Sequence, residues 1–202
     1  MTEINIEKLD LKVLLKPPFK FENSTAVTRK LVFVDTETTG LDPSYDEITA
    51  LCLVECQYDV NSYHLTSIDR VTLQYNEPYN NEISPKITAL TGITADLVRG
   101  HKLDLEEIAN TFNGVSYCVA HNATFDSAFL AKYYPQARTL PWKCTLRDID
   151  WCKFIRPLRS RSLSSLCAQS GFTFTAHRAD CDALALVYLM YRNPQAFMSL
   201  LK

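Results

Sequence analysis

Four acidic residues and one histidine carry the chemistry that this sequence offers. Asp35 and Glu37 close an apolar run in LVFVDTETTG (31–40), Asp126 ends HNATFD (121–126), and Asp182 lies in HRADCDA (177–183), five residues after His177. Singly, each acid has an ordinary account: a strand-end acid, a first-turn complement to a helix dipole, or a solvent-facing side chain. Together they are harder to dismiss, because three of the four adjoin apolar segments, where an unpaired charge is costly. Convergent carboxylates without basic partners repel one another, and hard divalent cations relieve that repulsion. Mg²⁺ or Mn²⁺ suits an all-oxygen set better than zinc, which prefers nitrogen and sulfur. Two such ions can stabilise the attacking and the leaving oxygens of a phosphoryl displacement. The attacking water also needs a base, and His177 beside Asp182 is of the side-chain type that exchanges protons near neutral pH.

The elements that must hold these residues follow from pattern. KLVFVDT reads as a buried strand, on which Asp35 and Glu37 share a face because side chains alternate. EITALCLVEC and YHLTSIDRVTLQY suit two further strands, and three in succession with short connections suggest an antiparallel meander. ISPKITALTGIT carries turn signals and a short helix, LDLEEIANTF a helix before Gly114, and VSYCVA a short strand. TFDSAFLAKYY follows as a helix, then SLSSLCAQSG as a helix with Ser162 as cap and Gly171 as stop. DCDALALVYLMYR reads as a core helix, separated by Pro194 from a last short one. The expectation is an α/β fold with a mixed sheet of about five strands, three antiparallel and then parallel, flanked by helices. Residues 1–30 read as an N-terminal extension, with Ile4, Ile6, Leu9, Leu11 and Leu14 on one short helix that Pro17-Pro18 ends. Residues 31–202 read as the domain.

The totals restrict the class. A chain of 202 residues with 47% hydrophobic and 22% charged residues fits one soluble domain with a substantial core. The net charge of −2 excludes a surface coated in basic residues, though not a local basic groove. The seven cysteines form no CxxC pair and read as mostly buried thiols in a reducing compartment. The polar start MTEINIEKLD and the lack of a membrane-length apolar run give a cytoplasmic reading with no membrane partner.

DTETTG, HNATFD and HRADCDA, in that order, resemble the three exonuclease motifs of the DnaQ-like 3′–5′ exonucleases, a family that includes the proofreading subunit of bacterial replicative DNA polymerase. LTGITADLV is similar to the family's connecting segment, and the resemblance covers residues 31–192 or so. The position four residues before the last Asp is a tyrosine in sister enzymes and Arg178 here. His177, five residues before Asp182, matches the histidine (DEDDh) subgroup. The resemblance implies a ribonuclease H-like fold and two Mg²⁺ or Mn²⁺ ions. Asp35 would bridge both metals, Glu37 and Asp182 would complete the first, and Asp126 would help hold the second. His177 would deprotonate the attacking water, and a nucleoside 5′-monophosphate would leave the 3′ end. Thr38 and Leu41 match positions flanking the terminal nucleotide, and Leu90, Thr91 and His121 match further nucleotide contacts. Thr91 departs from the histidine that many proofreading relatives carry there.

Substrate delivery needs positive charge. Lys143, Arg147, Lys153, Arg156, Arg159 and Arg161 lie in one segment against only Asp148 and Asp150, and read either as a solvated face or as a groove for the incoming strand. Trp142 and Trp151 could stack on bases but read better as core residues. QAFMSLL (195–201) loosely resembles peptides that dock on sliding clamps, and a terminal helix packing on the domain explains it equally well. The leading reading is a metal-dependent 3′–5′ exonuclease acting on single-stranded DNA ends, free-standing or serving a DNA polymerase in replication or repair. An exoribonuclease trimming RNA 3′ ends keeps the same chemistry and differs in how the 2′-hydroxyl is received. A catalytically silent nucleic-acid-binding copy of the fold is opposed by the presence of all four acids and the histidine.

Overall fold

The computed structural model describes residues 7–8, 19–21, 27–80 and 82–202. Its strands are β1 (Glu7–Lys8), β2 (Phe19–Lys20), β3 (Thr28–Thr38), β4 (Ile48–Asp59), β5 (Leu65–Tyr75), β6 (Tyr117–Ala120), β7 (Trp142–Cys144) and β8 (Phe172–Thr173). The helices are α1 (Pro85–Thr91), α2 (Ala95–Val98), α3 (Leu105–Phe112), α4 (Ala123–Tyr133), α5 (Leu163–Gln169), α6 (Ala179–Arg192) and α7 (Pro194–Leu201). The main sheet has the order β2-β5-β4-β3-β6-β7. β3, β4 and β5 form the expected antiparallel meander, and β6 and β7 run parallel to β3. Two-residue β2 extends the outer edge, and β1 pairs in parallel with β8 apart from the main sheet. The apolar residues expected on an N-terminal helix fall outside the described residues, whereas Glu7 and Lys8 within that span are extended.

β3 explains why an apolar run stands before two acids. Leu31 and Phe33 pack on one face of the sheet with Leu184 and Val187 of α6 and Phe197 of α7. Val32 and Val34 pack on the other with Ile108 of α3 and Phe129 and Leu130 of α4. The strand is therefore buried on both sides, which removes the alternation a half-exposed strand would show. Each of the four side chains contributes about 1.5–3 kcal/mol of burial, enough to pin the strand rigidly beneath its charged end.

Local signals account for most helix ends. Ser84, Thr94, Asp104 and Ser162 each accept a backbone N–H in the first turn of α1, α2, α3 and α5. Gly171, with φ +91°, follows α5 as expected of a stop. Helix α7 buries Ala196, Phe197, Leu200 and Leu201. The apolar anchors of the clamp-like peptide are thus in the core, and the terminal-helix reading of QAFMSLL holds. Both tryptophans also pack inward: the Nε1–H of Trp151 donates to the Thr145 carbonyl and that of Trp142 to the Ala137 carbonyl, each at 2.7 Å. All seven cysteines are free, and five are buried.

Candidate active site

Alternation along β3 decides where each side chain goes. Asp35 and Glu37 follow Leu31 and Phe33 onto the α6 face, where Asp182 sits in the first turns of that helix. One oxygen from each of Asp35, Glu37 and Asp182 lies within 4.8 Å of the others. Thr36 points to the α4 face, and its hydroxyl donates to Asp126 Oδ1 at 2.9 Å. Asp126 is only 4% exposed and stands outside the three-acid set, yet its charge reaches Asp35 and Glu37. The register shift between Glu37 and Thr38 ends the regular pairing just past the acids.

The electrostatics record this crowding. Burial, then the charges of Asp126, Asp182, Glu37 and Asp180, holds the Asp35 carboxyl well above the usual carboxylate range. Burial, then Asp182, Asp126 and Asp180, pushes Glu37 up to about 8. Asp126 is raised to about 7 by burial, against the hydrogen bonds from Thr36. Asp182 is raised to about 6 by burial, against the Arg178 backbone bond and the His177 charge. An all-carboxylate set that cannot ionise comfortably by itself is the donor chemistry of a hard divalent cation.

This crowding makes stability depend on pH in a definite direction. Carboxyls in the unfolded chain ionise near about 4, so between there and about 8 the folded state keeps protons that the unfolded state has released. The metal-free fold is therefore most stable at the acidic side of that window and loses stability as pH rises through it. A tenfold difference in proton affinity between the folded and unfolded chain is worth about 1.4 kcal/mol, so the loss amounts to several kcal/mol across the crowded acids. We expect the melting temperature in EDTA to fall between about pH 5 and pH 8, and Mg²⁺ or Mn²⁺ to raise it more at the alkaline end. A flat profile with no metal response would contradict a cluster poised for cations.

His177 lies on the loop before α6, exposed, with φ +65°. That left-handed conformation is uncommon outside glycine. The next residue anchors it twice: the Arg178 N–H donates to Asp182 Oδ2 at 3.0 Å, and the Arg178 guanidinium forks onto Asp180 at 3.1 and 2.9 Å. Asp180 is 6% exposed, and its charge reaches Asp35 and Glu37.

The remaining expected residues are spread around this centre. Thr38 is buried, and its hydroxyl donates to the Gly40 carbonyl at 2.5 Å. A Cβ at Gly40 would collide with the Asp46 carboxyl, which accepts from Thr39 Oγ1 and the Asp42 N–H and so organises the loop. Leu41 projects from that loop at 84% exposure, and Leu90 on α1 is half exposed. Thr91 is buried, with its hydroxyl donating to Ile87 O and accepting from the Ile93 N–H. It lines a cleft of about 170 Å³ with Tyr75, Ile93, Leu97, Arg178 and Asp180. His121 uses both ring nitrogens inside the protein, Nδ1 with Thr145 Oγ1 and Nε2 with the Arg161 carbonyl, each at 2.9 Å. Because a carbonyl only accepts, Nε2 carries the proton and Nδ1 accepts from the threonine when the ring is neutral.

Sequence pattern alone does not announce Thr36 or Asp180. Thr36 looks like filler in D-x-E until its neighbour on the α4 face is known. Asp180 carries a signal, an acid in the same short motif as Arg178, but its pairing and burial emerge only in three dimensions.

Comparison with known proteins agrees with this geometry. The exonuclease family model RNase_T matches residues 32–190. PolC-type DNA polymerase III of Thermotoga maritima is 36% identical over 179 residues, 84% of this chain and 12% of that protein. The 3′-5′ exonuclease DinG of Staphylococcus saprophyticus is 31% identical over 174 residues, 83% of this chain and 18% of that protein. The chain thus spans less than a fifth of either relative's length. Among solved structures, exonuclease I of E. coli in complex with a dA16 oligonucleotide superposes with a TM-score of 0.66 at 19% identity, over 84% of this chain and 42% of that one, which is a likeness of fold. With the family match covering most of the chain and relatives above 30% identity, the chain belongs to the exonuclease family.

Proposed function

We propose that this chain hydrolyses DNA from the 3′ end and releases nucleoside 5′-monophosphates. The observation that carries the reading is the convergence of the Asp35, Glu37 and Asp182 oxygens within 4.8 Å at the end of a rigid strand. Asp35, Glu37 and Asp182 would hold one divalent cation, Mg²⁺ or Mn²⁺, and Asp126 with Asp35 a second. Bound there, the cations neutralise the carboxylates and stabilise charge on the attacking and leaving oxygens.

The chain's own residues supply the rest. His177, exposed at the rim, takes the proton from the attacking water. Leu41, free on the Gly40 loop, wedges beside the terminal base, with Thr38 fixing that loop from below. Leu90 and Thr91 flank the nucleotide from α1. The PolC-type relatives, DNA polymerases by name, favour DNA over RNA as substrate and service to a polymerase. Residues 31–202 act as the exonuclease unit, with 1–30 as an extension.

The test uses matched, 5′-labelled single strands of DNA and RNA with Mg²⁺, Mn²⁺ or EDTA. Stepwise shortening of DNA in either metal, and none in EDTA, is expected. Faster shortening of RNA would move the substrate to RNA 3′ ends. If neither strand shortens, the hydrolytic reading fails and a binding role replaces it.

A further inference from the structure

Six basic residues lie between Lys143 and Arg161, and the structure separates them by what they already do. Lys143 sits 5.2 Å from the Tyr117 ring centroid. Arg147 donates to Thr124 Oγ1 and Asn122 Oδ1, Lys153 pairs with Asp150, and Arg156 donates to the Cys152 carbonyl. The two acids of the segment are likewise engaged, Asp148 accepting the Cys144 N–H and Asp150 facing Lys153. Arg159 and Arg161 remain: both are exposed, and neither enters an ion pair among the described residues.

Their backbone, by contrast, is tied down. The Arg159 N–H donates to Gln169 Oε1 at 3.1 Å, and the Gln169 amide is held by Ser165 on α5. The Ser162 N–H donates to Ser160 Oγ at 3.1 Å, and Ser162 caps α5. The Arg161 carbonyl receives the His121 Nε2–H at 2.9 Å. That last bond places the arm. Phe33 of β3 pairs with Val119 of parallel β6, so Asp35 and His121 each lie two residues beyond the same pair. Neighbouring strands are about 4.8 Å apart, which sets the arm beside the acids.

We propose that Arg159 and Arg161 form a phosphate-binding arm for the internal phosphodiesters of the strand whose 3′ end occupies the acidic site. The proposal rests on the exonuclease reading above. A cluster of carboxylates repels a polyanion, so the approaching strand needs cations outside the cluster but close to it. Two unpaired guanidinium groups on a fixed backbone meet that need, and their planar forks match phosphate oxygens. His121 is then a positioning residue for the arm.

The test measures binding of a fluorescent oligothymidylate by anisotropy in EDTA across a salt series, alongside turnover with metal. The Arg159→Ala/Arg161→Ala double variant should bind at least about tenfold more weakly at low salt. Its log affinity against log salt should be shallower by about 1.4, the value for two single-strand phosphate contacts. The ratio of kcat/KM for the oligonucleotide to that for the p-nitrophenyl ester of thymidine 5′-phosphate should fall through KM, and the Lys/Lys double variant should recover most of the loss. Wild-type affinity and salt slope in the double alanine variant would overturn the arm. Loss of binding in that variant, with neither substrate cleaved by the wild type, would keep the arm and overturn the exonuclease reading.

Discussion

Asp35→Asn is expected to lose about a hundred- to a thousandfold in strand shortening, the scale of removing one preorganised electrostatic group from a reaction centre. The same substitution should make the metal-free protein more stable. Asp35 feels the charges of Asp126, Asp182, Glu37 and Asp180 together, the longest roster of like charges in the cluster. Asparagine keeps the shape, removes a carboxyl that the metal-free fold must hold protonated where the unfolded chain ionises freely, and offers an amide donor to the surrounding carboxylates. A gain of about 1–3 kcal/mol is the usual range for relieving such a conflict, and about 2–4 °C in melting temperature per kcal/mol follows for a chain of this size. Opposite movements of activity and stability mark a site built against its own stability. The metal-induced rise in melting temperature should shrink in the same variant. Retained shortening would remove Asp35 from the centre, and a less stable metal-free protein would make it a structural acceptor instead.

The legible parts of this fold are those with long, regular signals. β3, β4 and β5 are each at least eleven residues long, and each shows as a strand in the sequence. β7 and β2 have three and two residues, too few for periodicity, and owe their pairing to the neighbours the chain brings them. The site divides in the same way. Asp35, Glu37, Asp182 and His177 sit in two short motifs, and the structure gathers the three acids into one cluster. The Thr36–Asp126 bond spans ninety positions and crosses to the other face of the sheet, so no local pattern announces it. His121 is the instructive case: its place in HNATFD suggests the nucleotide, whereas its two ring bonds turn it towards Thr145 and the Arg161 loop.

His177→Gly separates a catalytic histidine from one that merely shapes a loop. At φ +65° glycine is the least strained residue, so this variant should fold as well as the wild type or slightly better. The Arg178 anchors to Asp182 and Asp180 remain, and the three acids keep their places. The rise in melting temperature with Mg²⁺ or Mn²⁺ should therefore persist. Turnover should nevertheless fall by about 10²–10⁴, the range for losing a positioned general base. His177→Asn, which also tolerates the left-handed conformation, should be equally slow because an amide does not take up a proton at these pH values. Added imidazole should restore part of the activity of the glycine variant, whose missing ring leaves room at the exposed rim, and none to Asp35→Asn. Wild-type turnover in His177→Gly would assign the proton transfer elsewhere. Loss of the metal response would mean that the histidine holds the acids together rather than acting on water.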